Sequence, residues 1–187
     1  MDIAVYDACV LFSAPLRDLL LRLSAAKIVL GCWSNEIHEE WIRSLLEKRR
    51  DLSRERLEQT RHKMDTHAEG CLIEGYADLI PTLELPDVDD RHVLAAAIHA
   101  GASYIVTHNT DDFPASALEP YKIEAMTPDK FIAHLLVKDT GAVLAAIKRQ
   151  RENLKNPPKT VQEHLATLEK QRLPKTVALL RKHETEI

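Results

Sequence analysis

Short apolar runs alternate along this chain with longer stretches of helical periodicity. Ile3, Val5 and their neighbours form an apolar run at the N-terminus, the composition of a buried strand. Ser13-Ala14-Pro15 then reads as a helix start with proline just inside it, and Leu16, Leu19, Leu20 and Leu23 share one side of a helix from Pro15 to Ala26. Lys27 to Cys32, β-branched at Ile28 and Val29, predicts a second strand. Ser34 caps a helix that carries Glu36, Glu39, Glu40, Trp41, Ile42 and Leu45. Strand–helix–strand–helix without a hairpin signal points to right-handed βαβ units and a parallel sheet.

Further along, Arg43 to Lys63 predicts a helix or helical pair with a thin apolar stripe at Leu45, Leu46, Leu52 and Leu57. Leu72 to Leu85 suggests a short helix ending before Pro81, with a turn at Pro86. Asp87 to His92 is an acidic helix start, and Val93 to Gly101 an alanine-rich helix closed by glycine. Tyr104 to Thr107 is a short buried strand that delivers His108 to Pro114 at its carboxyl end. Tyr121 to Met126 is expected as the last strand, and Thr127-Pro128 starts a helix through Val137. Gly141 and Asn156-Pro157-Pro158 punctuate the rest, where Thr160 to Arg172 and Pro174 to His183 are helical. Residues 1–137 thus read as an α/β domain and 138–187 as a helical C-terminal extension.

Composition bounds the possibilities. The 187 residues, 45% of them hydrophobic, suffice for one substantial core. No apolar run approaches the ~20 residues of a membrane span, so a cytoplasmic protein without membrane contact is expected. Cys9, Cys32 and Cys71 have no metal-ligand spacing and cannot all pair, so buried thiols are expected. The net charge of −4 alone argues against a nucleic-acid partner, but its distribution does not. Lys148 to Lys182 holds ten Lys/Arg against three Glu, and Arg43 to Lys63 eight Lys/Arg against four acids. Either stretch is a solvated helix surface or a basic face beside an acidic site.

Four acids stand at comparable places. Asp7 ends the first strand, Glu40 lies on the helix after the second, Asp90 opens the alanine-rich helix, and Asp112 follows the next strand. Glu36, one turn from Glu40, shares its face and is the alternative there. Carboxylates drawn together from separate elements repel unless a cation neutralises them, and hard oxygen ligands suit Mg²⁺ or Mn²⁺. Such ions serve phosphoryl transfer. Thr107 and Ser34 place hydroxyls at the rim, to bond an acid or a phosphate. Asp87 and Asp89 read as turn and cap residues, Arg91 as their ion-pair partner, and His92, His99 and His108 as surface or helix-face histidines.

Val5 to Leu11 resembles the opening motif of PIN-domain nucleases, with Cys9 where that family usually has Asn. Ser34 to Trp41 resembles its second motif with the acid at Glu40, Asp87 to Ala97 its third with the acid at Asp90, and Thr107 to Phe113 its fourth. The extension after Val137 looks like the helical tail of one branch of bacterial PIN toxins of the VapC type. The resemblance implies a three-layer α/β/α fold with a mostly parallel sheet. It also implies a Mg²⁺- or Mn²⁺-dependent endoribonuclease, often a homodimer, held inactive by a cognate antitoxin. Carried over by residue, Asp7, Glu40, Asp90 and Asp112 would be metal-binding and catalytic, with Asn109, Thr107 and Ser34 in support. The fourth motif often has an acid where Asn109 stands, so either Asn109 or Asp112 fills the fourth position. A catalytically weak PIN-like module that binds RNA or protein is the alternative. A haloacid-dehalogenase-type phosphatase would need a second acid where Cys9 stands, and a flap-endonuclease-like role would need an arch that this chain does not obviously contain.

Overall fold

The N-terminal apolar run forms β1 (Asp2–Tyr6), and every other strand takes its place relative to it. The structure, a computed structural model, describes residues 1–66 and 69–187. After β1 come α1 (Ala8–Leu11), α2 (Ala14–Ala25), β2 (Val29–Ser34), α3 (Asn35–Lys48), α4 (Arg54–Asp65) and β3 (Leu72–Ile73). Then follow α5 (Arg91–His99), β4 (Tyr104–Val106), α6 (Ala115–Leu118), β5 (Glu124–Met126), α7 (Pro128–Lys138), α8 (Thr140–Glu152), α9 (Val161–Lys170) and α10 (Pro174–Leu180). The sheet runs β3-β2-β1-β4-β5 with every pair parallel. Its connections move outward through β2 and β3 and then return to β4 on the other side of β1. The strand order therefore reverses between β1 and β4, and the crevice at their carboxyl ends is where open α/β sheets bind ligands.

Helices cover both faces, so the fold is the expected three-layer α/β with added C-terminal helices. α5 packs across β1, β2 and β4, and its fully buried Ala95, Ala96 and Ala97 let it lie close to them. Gly101, at φ +62°, ends it in the left-handed conformation that glycine adopts without strain. On the opposite face α2 lies against β2, and the extension closes over it: α8 packs on α2 and α7, and α10 on α7. Leu144, Ile147, Leu165, Leu168, Val177 and Leu180 belong to the same apolar core as the sheet.

Several elements differ from the sequence-based expectations. The β3 segment has only two residues, too few to show an alternating pattern, and it exists because β2 offers it a partner. The turn at Ala77–Thr82 is 3₁₀ and runs through Pro81 instead of ending before it. The last strand starts at Glu124 because Glu119–Tyr121 forms a 3₁₀ turn and Lys122 is left-handed, at φ +58°. Thr140–Glu152 is a helix despite Gly141, which sits in its first turn, where Asp139 accepts from the Ala142 N–H at 3.0 Å. The Arg43–Lys63 stretch, by contrast, is the helical pair that was one of its two expected forms, broken between Arg49 and Ser53.

Two positions in the packing carry testable consequences. A Cβ on Gly31 would lie 2.3 Å from Cε2 of the fully buried Tyr6 ring and 2.7 Å from Ser24 Oγ. Gly31→Ala should therefore destabilise the fold by about 2 kcal/mol, read as a lower urea midpoint with unchanged slope. His164, on α9, is buried, and neither ring nitrogen has a partner among the described residues. Burial, with Lys159 and Arg151 nearby, lowers its pKa to about 4. The neutral ring is favoured in the fold, so its stabilising effect is full above the unfolded pKa near 6.5 and fades as pH falls towards 4. That loss is about 3 kcal/mol at most. His164→Gln should flatten this limb of stability against pH in denaturant titrations.

Candidate functional site

Asp7 leaves β1 at the strand-order reversal, and neighbours from both sides fix its carboxylate. Its N–H donates to the Val106 carbonyl at 3.1 Å, which continues the β1–β4 ladder by one residue. Its Oδ2 accepts from Thr107 Oγ at 2.7 Å and from the Cys9 thiol at 3.1 Å. Thr107 Oγ also accepts from the Asn109 N–H at 3.0 Å, and Cys9 Sγ accepts from the His108 N–H at 3.2 Å. Burial and the adjacent Asp7 raise the Cys9 pKa to about 12, so the thiol stays protonated and can donate. Cys9 thus helps to order Asp7 from the position where the resemblance leads one to expect asparagine.

The cleft above Asp7 has a volume of about 380 Å³, and Glu40, Asp90, Asn109, Arg43 and Lys48 help to line it. Glu40 reaches it from α3. Glu36 does not compete, because its carboxylate accepts the Tyr76 hydroxyl. Glu40 Oε1 lies 3.0 Å from His92 Nε2 on α5. Burial disfavours a charge on that imidazole, but Glu40, with Glu36 and Asp7, outweighs burial and raises the His92 pKa. His92 is therefore a buried partner of the cleft and not the helix-face residue expected.

Asp90 is the N-cap residue of α5. Burial raises its pKa to about 6, helped by the negative charges of Asp7, Asp87, Asp112 and Glu40. Asp112 lies in a 3₁₀ turn, Thr110–Asp112, close enough to push on Asp90 without lining the cleft. Of the two candidates for the fourth position, Asn109 lines the cleft and Asp112 acts on it through its charge.

The two supporting hydroxyls lie elsewhere than at the rim. Thr107 is fully buried beneath Asp7, where it bonds the acid, and Ser34 is fully buried as the cap of α3, accepting from the Ile37 N–H at 3.2 Å. Asp87 is a turn residue, with its Oδ1 accepting from the Asp89 N–H at 2.9 Å. Arg91 does not pair with it; the Arg91 Nε is buried without a partner among the described residues. Arg43 and Lys48 at the cleft were hidden in a broadly basic stretch. So was Arg172, whose charge, after burial, helps lower the His108 pKa. It follows Gln171, which accepts from the Ser13 hydroxyl and brings the turn between α9 and α10 up to the α/β domain.

Among the described residues, no three His, Cys, Asp or Glu side chains are grouped to hold a metal by themselves. Mg²⁺ needs no such cage, since it retains several waters and is usually held through one or two carboxylates. Asp7 and Asp90 have no ion-pair partner among the described residues, and their all-oxygen donors fit a hard divalent ion.

Residues 128–182 match the VapC50 C-terminal domain. The chain is 40% identical over 97 residues to a Mycobacterium tuberculosis protein named "Putative ribonuclease VapC50". That alignment covers 52% of this chain and 57% of the relative, so the chain spans little more than half the relative's length. No solved structure matches the chain. Residues 3–111 match the PIN domain, more than half of the chain, and the protein belongs to the PIN-domain family.

Proposed function

We propose that the cleft is the active centre of a Mg²⁺- or Mn²⁺-dependent endoribonuclease. The observation that carries this reading is the convergence of Asp7, Glu40 and Asp90, from three separate elements, on one cleft, where burial and then the neighbouring carboxylates raise the Asp90 pKa to about 6. Asp7, Glu40 and Asp90 would hold the metal, with Asn109 or Asp112 completing the set. A bound divalent ion supplies Lewis-acid activation of water and charge neutralisation at the scissile phosphate. Thr107 and Cys9 keep one oxygen of Asp7 occupied, and Asp7 itself lines the cleft. His92 fixes Glu40, and Arg43 and Lys48 offer charge to the RNA phosphates.

The M. tuberculosis relative's name and the match to the VapC50 C-terminal domain support a toxin of a type II toxin–antitoxin pair. Its partners would be an RNA substrate, a cognate antitoxin and a second copy of the chain, in the cytoplasm. No described helix is long and apolar enough to cross a membrane. We assign residues 1–137 to the nuclease domain and 138–187 to the helical extension. A second reading, a catalytically weak binding module, draws on the lack of a preformed three-ligand group among the described residues and on the commitment of Glu40 to His92.

Cleavage of pooled, labelled cellular RNA with Mg²⁺ or Mn²⁺ separates the two. Discrete products that vanish with EDTA, and that fall at least about a hundredfold in Asp7→Asn and Asp90→Asn, are expected. A silent wild type that still binds Mn²⁺ would favour the binding module. Thr107→Val, which removes the hydroxyl beneath Asp7 at nearly constant volume, should lower the cleavage rate roughly tenfold. Unchanged rates in that variant would mean that strand pairing alone orders Asp7.

A further inference from the structure

The acidic cleft does not end at its rim. Phe12 and Lys48 line it and also line a second groove of about 500 Å³ between the α1–α2 segment and the α3–α4 pair, so the two adjoin at these side chains. Arg17, Lys48, Arg49 and Arg56 contribute to the second groove, and no carboxylate does. Lys48, Arg49 and Arg56 are exposed; Arg49 is already paired with Asp51 at 2.7 Å, which leaves Lys48 and Arg56 as the exposed cations without an ion pair among the described residues. The floor is apolar, with Leu45, Leu52 and Leu57. At the junction of the two grooves Lys48 Nζ stands 5.0 Å from the centre of the half-buried Phe12 ring.

We infer that this second groove carries the nucleotides flanking the cleavage point, holding one strand of RNA by its phosphates on Lys48 and Arg56 and by base stacking at Phe12. This rests on the nuclease reading of the cleft and adds the path of the substrate. The chemistry argues for a polyanion. A strand whose phosphate enters a cluster of carboxylates is repelled there, and a neighbouring groove of one positive sign offsets that repulsion. A single strand fits better than a duplex because an aromatic ring beside a cation offers a stacking platform to an unpaired base. Basic residues over an apolar floor also suit a protein helix with acidic flanks, and the test below tells the two apart.

The experiment is fluorescence polarisation of a labelled single-stranded RNA of mixed sequence with the full chain in EDTA, where no cleavage occurs, over a series of salt concentrations. Lys48→Ala/Arg56→Ala should bind roughly tenfold more weakly at low salt, and its log–log salt slope should be smaller by about 1.4, two lost phosphate contacts. Phe12→Leu, which keeps an apolar side chain, should weaken binding roughly fivefold and leave the slope unchanged. Thermal melting of each variant at the wild-type temperature establishes that the fold is intact.

Wild-type affinity and slope in the double variant would overturn the groove assignment, and cleavage by the wild type would show that the nuclease reading survives it. A wild type that neither binds RNA at low salt nor cleaves it would overturn both. Unchanged RNA affinity, together with loss of co-purification with the co-expressed product of the neighbouring reading frame, would assign the groove to protein docking and overturn the proposal.

Discussion

The placement of β4 beside β1 is the constraint on which the cleft depends. Asp7 and Thr107 are a hundred residues apart in sequence, yet their side chains meet at 2.7 Å because Tyr6 pairs with Val106 one residue earlier. A carboxylate only 6% exposed would be costly without partners, and here no cation supplies them among the described residues. A hydroxyl and a thiol donate instead. Each is itself anchored by a backbone N–H from the segment that follows β4, so the same hydrogen bonds that satisfy Asp7 also set the path of His108 and Asn109. Shift that register by one residue and the strand would turn Thr107 away from Asp7.

The remaining acids arrive from opposite layers. Glu40 comes from a helix after β2, and Asp90 and His92 come from the helix that crosses to the other side of β1. The His92–Glu40 contact at 3.0 Å therefore ties the two helical layers together across the carboxyl edge of the sheet. Asp90 has no such partner among the described residues, and burial together with the neighbouring carboxylates disfavours its charge. The α3–α4 pair is held as firmly from below: Asp65 on α4 accepts from Trp33 at 2.9 Å and contacts His38 at 2.8 Å, and Trp41 donates to His38 at 2.9 Å. This network fixes the wall on which the basic side chains are mounted.

Most of the parallel sheet was legible from apolar runs and helix caps, because those signals are local. Asp7 and Asp90 stood out for the same reason, at the end of a strand and the start of a helix, whereas Glu40, in the second turn of α3, rested on the family resemblance. What the sequence hid was relational. Nothing in the sequence around Thr107 distinguishes a hydroxyl under an acid from one at a rim, since the answer lies in β1. His92 looks like any helix histidine until Glu40 is brought opposite it. The choice between Glu36 and Glu40 turned on Tyr76, in a stretch whose pattern was too weak to read. Gly141 misled because its cost depends on position within a helix, and the first turn tolerates it.

The parallel arrangement also fixes the order in which these parts can come into being. A hairpin could have formed as soon as its turn was made, but β1 must wait for β4, and the helices between them must fold against an incomplete sheet edge. A nascent chain that already contains Asp7, Glu40 and Asp90 has every acid of the cleft and none of the geometry. The cleft appears only once the chain through Asn109 has been made and β4 has joined β1, a hundred residues before it.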